Sequence, residues 1–367
     1  MKVAHLADLH LDTTFKWAGT EAGHRWRRVI RQTLVAAVDL AIEQEVDAFF
    51  IAGDIYEHDL AAPDTGTFLV EQLGRLDPIP VLVAPGNHDY LCTSSIWVQG
   101  NWSPNVRIFG HSTWTRIELV DGLNIWGIAH GVPAGTGPML ERLTVATGGI
   151  NIGLFHGALR SGVPEGATSA DIHFPFDLED IDRVGLDHVF SGHYHTPKKE
   201  RRLTYPGNAH PLGFGEGPGR GLVIATIAES GEVDAVTHDV SPTRFHDLTV
   251  DLTGATTSDE VRQRCQAALV SLRGGARLTL TGDLSANVDL DAAGLRDLTS
   301  QLDAVVVRTD QLEPGYDLAE LQHEPTVRGQ FVREVLGDST IEDANRTAVL
   351  VTGLRALDGR SDLEVPW

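Results

Sequence analysis

Apolar and polar positions alternate along this chain in two distinct periods, and their order predicts a mixed α/β fold. MKVAHLA reads as a short buried strand. Helical spacing of Ile30, Leu34, Ala37, Val38, Ala41 and Ile42 follows it. VDAFFIA is a second strand that runs into Gly53-Asp54. Phe68, Leu69 and Leu73 then mark another helix, and PVLVA a third strand ending at Pro85-Gly86-Asn87-His88-Asp89. IELV and LNIWGI flank Asp121-Gly122, a two-residue hairpin signal, so part of the sheet structure is antiparallel. NIGLF leads to His156, and DHVFS to Gly192-His193-Tyr194-His195.

The pattern changes near residue 240, after TYPGNAHPLGFGEGPGRG and the strand GLVIATI. HDLTVDL, a helix carrying Val261, Cys265, Ala268, Leu269 and Leu272 on one face, RLTLTG, a helix with Leu295, Leu298 and Leu302, and AVVVR make a small α+β unit. Thr257 and Glu260 have capping-box spacing at the start of the first of these helices. From Gln311 the chain reads as a loop through EPGY and then as two helices, at about 326–336 and 340–358. Their apolar positions are Phe331, Val332, Val335 and Leu336, then Val349, Leu350, Leu354 and Leu357. The predicted domains are therefore 1–240, 241–311 and a helical tail, 312–367.

Composition sets limits on function. With 42% apolar and 22% charged residues in 367, the chain can build a substantial core. A formal net charge of −22 argues against a surface that grips polyanions everywhere, so any nucleic-acid contact must be local. Basic residues gather in HRWRRVIR (His24 to Arg31) and KKERR (Lys198 to Arg202), which read equally as solvated faces or as phosphate contacts. Cys92 and Cys265 have no paired framework. No stretch approaches the roughly 20 apolar residues of a membrane span, and no leader pattern precedes Asp8 and His10, so the expected location is the cytoplasm.

The chemistry-bearing residues fall just past strand ends, where crevices form in open α/β sheets. Asp8 and His10 are spaced two apart, so a continuing strand would point both to one face. Asp54 follows a glycine, which leaves its two oxygens free to bridge cations. Asn87 offers a neutral carbonyl, and the adjacent His88 reaches toward a substrate. His156 alone would also suit a core, and Asp8-Leu9-His10 alone a capping role. His193 and His195 present two imidazoles to one site. Together the five blocks supply seven oxygen and nitrogen ligands, enough for two divalent ions.

In this order the blocks DLHL, GDIYEH, GNHD, His156-Gly157 and GHYH resemble the calcineurin-like metallophosphoesterases over about residues 1–240. ADLHLD, YPGNAHPLGFGE and the small domain that follows are most similar to the SbcD/Mre11 DNA-repair exonucleases. The resemblance implies a four-layer α/β/β/α sandwich with a small α+β cap and a C-terminal helical tail. It places Asp8, His10, Asp54 and His195 on one metal, and Asp54, Asn87, His156 and His193 on the other. Two ions roughly 3.5–4 Å apart activate water and stabilise both the entering and departing oxygens. His88 is then the acid for the leaving oxygen, and Glu57, three residues after Asp54, either orients it or is a plain surface carboxylate. The ligand set suits manganese, iron or zinc better than calcium, and the resemblance favours manganese. It further implies a homodimer acting on DNA with an SbcC/Rad50-type coiled-coil ATPase, docked through the tail. A small-molecule phosphodiesterase or phosphatase would use the same metals and fit the acidic charge. A catalytically silent scaffold has no chemical reason to keep all seven ligands and His88. His5, His24, His111, His130, His173, His188, His210, His238, His246 and His323 have no ligand spacing.

Overall fold

A computed structural model describes residues 1–111, 113–145, 148–163, 172–285, 288, 290–298 and 301–359. The end of the predicted tail, 360–367, lies outside these residues. Packing divides the chain into two units, Met1–Arg244 and Phe245–Trp367.

The first unit runs β1 (Lys2–Leu6), α1 (Thr20–Glu43), β2 (Ala48–Ile51), α2 (Thr65–Gly74), β3 (Val81–Val83), α3 (Ile96–Gln99), β4 (Val106–Ile108), β5 (Thr115–Val120), β6 (Leu123–Gly127), β7 (Ile150–His156), α4 (Leu178–Val184), β8 (His188–Gly192), β9 (Lys198–Glu200), β10 (Leu203–Tyr205), β11 (Leu222–Ile227) and β12 (Val233–His238). One six-stranded sheet has the order β12-β11-β1-β2-β3-β4, and the other β5-β6-β7-β8-β10-β9. Within the first, β1 to β4 pair in parallel, as short strands separated by helical crossovers must. The Asp121-Gly122 hairpin joins β5 and β6 antiparallel, with Gly122 at φ 77°.

The two sheets face each other across one core. Val3, Phe50, Leu82 and Val223 from the first meet Ile125, Ile152, Leu154 and Phe190 from the second. Beyond the sheets, α1 buries Trp26, Ile30, Leu34 and Val38 along one face. Ile181 and Val184 of α4 join Phe155, Val189 and Leu203 in a second cluster. This is an α/β/β/α sandwich. Because both sheets are covered, the central strands β1, β2, β3, β7 and β8 are nearly continuous buried runs, whereas the edge strands β5, β9 and β12 carry exposed polar residues. Ile42, expected on the buried stripe of α1, is instead 40% exposed. It lies in the last turn, next to the buried Ala41, on the edge of the stripe.

The second unit contains β13 (Arg244–Asp251), α5 (Ser258–Leu269), β14 (Gly274–Ser285), α6 (Ala292–Arg296), β15 (Leu302–Gly315), α7 (Leu318–Leu321), α8 (Val327–Gly337) and α9 (Asp343–Leu357). The α5 face Val261, Cys265 and Leu269 packs with Leu278, Leu280, Val305 and Val307. The EPGY loop expectation is corrected, since β15 continues through Gly315 in parallel with β14. Proline is admissible in β15 because it is an edge strand, paired on one side only. The capping box also differs in detail: Thr257 accepts from Glu260 N, but the Glu260 carboxylate binds Thr256 N. Val332 and Val335 of α8 pack with Leu350 and Leu354 of α9, while Leu336, Val349 and Leu357 remain exposed. Among the described residues, no helix is long and apolar enough to cross a membrane.

Candidate metal centre

The site grows from backbone lacing between loops at the strand ends. Asp8 N donates to Gly53 O (3.1 Å), His10 N to Asp54 O (3.0 Å) and Leu11 N to Ile55 O (2.8 Å). The first two loops are thus held side by side. Asp89, fully buried, ties in the third. Its carboxylate accepts from Asp54 N (3.0 Å), Ile55 N (3.0 Å), Gly86 N (2.6 Å) and the Trp97 indole (3.0 Å). This crowding explains the glycines. A Cβ on Gly86 would collide with Asp54 Oδ1, and one on Gly192 with Ala52 O.

Asp8 and His10 do converge, but not by strand alternation, because β1 ends at Leu6. Both lie in a loop with left-handed backbone, at φ 52° and 51°. Asp54 (54°) and His193 (115°) share that sign. Non-glycine residues seldom adopt it, and such strain concentrates where a site imposes it. Of the eight non-glycine residues with positive φ among the described residues, four are predicted ligands.

The structure brings six of the seven predicted ligands, Asp8, His10, Asp54, His156, His193 and His195, into connected groups with His88, while the Asn87 side chain makes no hydrogen bond to them. Asp8, His10 and His195 offer ligand atoms within 4.8 Å of one another, as do Asp8, Asp54 and His156. The Asp8 carboxylate also accepts His193 N through both oxygens (3.0 Å each), and Asp54 Oδ1 accepts His88 N at 2.8 Å.

Three observations fit cations at these groups. His10 and His195 use their Nδ1 atoms on Glu57 (2.7 Å) and Glu216 (3.4 Å), yet their Nε2 atoms face each other at 3.1 Å. Two neutral imidazoles oriented this way oppose lone pairs unless a cation lies between or beside them. His156 donates Nδ1 to Ala52 O (2.8 Å), which leaves Nε2 against Asp54 Oδ2 at 3.1 Å. Finally, Asn87 Oδ1 is buried with no hydrogen-bond partner among the described residues. Buried acceptors are seldom left so, and a divalent ion would satisfy this one. The oxygen and imidazole donor set suits such an ion.

Electrostatics tell the same story without the ions. Burial works to lower the His156 imidazole, but Asp54 and Asp8 raise it to about 9. Burial lowers His193 to about 3, helped by His156. Glu57 accepts from His10 and from His88 Nδ1 (2.8 Å). Burial opposes its ionisation, yet those two bonds hold it down at about 2. In return, the Glu57 bond raises His88 to about 9 against partial burial.

Several contributors were not legible from ligand spacing. Asp89 ends the GNHD block and Glu216 ends YPGNAHPLGFGE, and only geometry shows that they hold Asp54 and His195. His130 donates Nε2 to His156 O (2.7 Å), and the His173 ring lies 5.7 Å from that of His193. Of the basic runs, Arg25 pairs with Glu21, Arg31 with Asp64, Lys198 with Glu200, Lys199 with Asp234, and Arg201 and Arg202 with Asp182.

Comparison with known proteins agrees with this geometry. The chain is 25% identical over 283 residues to the uncharacterized metallophosphoesterase YhaO of Bacillus subtilis, covering 73% of this chain and 67% of that protein. It is 22% identical over 296 residues to the DNA double-strand break repair protein Mre11 of Methanopyrus kandleri, covering 72% of this chain and 62% of that one. The chain thus spans somewhat under two thirds of the length of the latter. Among solved structures, a dimetal phosphatase from Danio rerio is 12% identical with a TM-score of 0.38, over 65% of this chain and 98% of that chain. Residues 1–197, more than half of the chain, match the calcineurin-like phosphoesterases, and the chain belongs to that family of metal-dependent phosphoester hydrolases.

Proposed function

We propose that this phosphoesterase is a DNA-end nuclease cleaving phosphodiester bonds with two manganese ions. The observation that carries the chemistry is the paired burial of Asp8 and Asp54 beneath apposed imidazole nitrogens. Support for DNA comes from the similarity to Mre11, which covers 72% of the chain and so reaches past the matched family segment. In this reading Asp8, His10, Asp54 and His195 hold one ion, and Asp54, Asn87, His156 and His193 the other. When bound, two such ions supply Lewis acidity at the phosphoryl centre. His88 keeps Nδ1 on Glu57 and presents Nε2–H to the departing oxygen, from a side chain that is 44% exposed. Glu57 fixes that ring's orientation and preserves its proton.

The second unit serves as a cap that shapes the DNA groove, and α8 and α9 are the docking element for a coiled-coil ATPase of the SbcC/Rad50 type. The exposed Leu336, Val349 and Leu357 support this docking role. A homodimer in the cytoplasm completes the reading.

One observation favours a small phosphodiester or phosphomonoester instead. With a net charge of −22 and many arginines and lysines already paired to carboxylates, little basic surface remains for a long polyanion. The deciding assay incubates the protein and manganese with end-labelled duplex DNA or with small phosphodiesters, alongside His88→Ala and Asn87→Ala. DNA degradation lost in both variants supports the nuclease. Turnover of small esters with inert DNA removes it.

A further inference from the structure

Beside the metal centre lies an aromatic surface that the hydrolytic chemistry does not use. Trp17 is 41% exposed, the only aromatic among the large exposed apolar side chains of the described residues. It is nevertheless held firmly. Its ring rests 4.9 Å from that of Trp26 at 33°, and 4.8 Å from Phe214 at 58°. The indole N–H donates to Leu212 O at 3.4 Å.

The preceding backbone turns the ring outward at a cost. Phe15 has φ 45°, an outlier for an aromatic residue, and is buried with its ring 5.5 Å from that of Trp26. Gly23 leaves room beneath this turn, since a Cβ there would lie 3.1 Å from Thr14 O. Strain of this kind persists where the surroundings over-determine it, and functional loops are where it gathers.

Three successive hydrogen bonds join the platform to the site. Leu212, which accepts from Trp17, donates its own N–H to Glu216 at 2.8 Å, and Glu216 holds His195 Nδ1. One basic group accompanies the ring in sequence: Lys16 immediately precedes it and is exposed. An exposed, immobilised indole beside a lysine can stack an unpaired base next to its phosphate.

The geometry points to Trp17 as a stacking platform for an unpaired nucleobase of the DNA strand entering the metal centre. The proposal rests on the nuclease reading and adds to it a preference for single-stranded or frayed ends.

The test uses the full chain and the variants Trp17→Ala, Trp17→Leu and Trp17→Phe. Binding of a fluorescein-labelled oligothymidylate is read by anisotropy in EDTA, so that cleavage does not intervene. With manganese, cleavage of overhanging and blunt duplexes is compared with turnover of bis-p-nitrophenyl phosphate. Trp17→Ala and Trp17→Leu are expected to weaken oligonucleotide binding about 5- to 100-fold, with Trp17→Phe retaining part of it. The small ester should be hydrolysed at the wild-type rate, which also shows that the variants fold. Wild-type binding and cleavage by Trp17→Ala would overturn the platform while leaving the nuclease intact. A wild-type protein that neither binds the oligonucleotide nor cuts DNA would overturn both.

Discussion

Replacing Glu57 by glutamine keeps its shape but removes the charge that holds His10 Nδ1 at 2.7 Å and His88 Nδ1 at 2.8 Å. The amide retains one acceptor oxygen, so only one of the two imidazoles keeps its bond. His88 owes its rise from 6.5 to about 9 first to the Glu57 hydrogen bond and then, against partial burial, to Asp54 and Glu57 charge. An acid must carry its proton to act, so activity falls as pH rises through the His88 pKa. In Glu57→Gln that fall should come about 1–2 pH units earlier. Bound cations shift both profiles in the same direction, which makes the difference between the proteins the quantity to read. Positioned acid catalysis contributes about 10²- to 10⁴-fold, and a misoriented His88 should lose about 10- to 100-fold of it. The loss should depend on the leaving group. An alkoxide such as a DNA sugar oxygen needs the proton, whereas nitrophenolate departs without it. The assay is kcat/KM against pH for a dinucleotide and for bis-p-nitrophenyl phosphate, with metal content measured in parallel. Equal losses on both esters at full metal occupancy would refute the acid role of His88. An unchanged profile would reduce Glu57 to a surface carboxylate.

Other consequences are equally direct. Asn87→Ala removes the orphaned Oδ1 acceptor, and elemental analysis should find fewer than two ions per chain with turnover down by about 10³ or more. Gly86→Ala drives a Cβ into Asp54 Oδ1, and should cost about 1–3 kcal/mol in denaturant unfolding while abolishing activity. Buried His5 is held down to about 3 by burial and by His188. Its unfolded form takes up a proton below about 6.5, so stability is full above that pH and declines as pH falls toward 3. Between pH 6.5 and 5 this single group should contribute roughly 2 kcal/mol of loss, which His5→Leu should remove in thermal melts. In the second unit, Leu350→Ala should destabilise the α8–α9 packing by about 2–5 kcal/mol, detected as faster proteolysis of the tail helices.

Hydrophobic periodicity by itself marked β1, α1, β2, α2, β3, β7 and β8 in order, the Asp121-Gly122 hairpin and the change of texture near residue 240, but it carried the second cap helix to Leu302, whereas α6 ends at Arg296 and Leu302 opens β15. These are local properties, set by which side chains must leave water within one turn or one pleat. Local reasoning failed where neighbours remote in sequence decide. The tail end of β15 looked like a loop because EPGY has turn chemistry, and only its pairing with β14 shows an edge strand. Candidate ligands were legible because oxygen and imidazole donors follow strand ends, where sheets leave crevices. Their convergence was not, because Asp8 and His10 meet the other candidates through left-handed backbone rather than strand alternation. Asp89 and Glu216 could not be singled out from spacing at all. Their work is to hold Asp54 and His195 across 35 and 21 residues, and only the folded chain brings such hydrogen bonds into being.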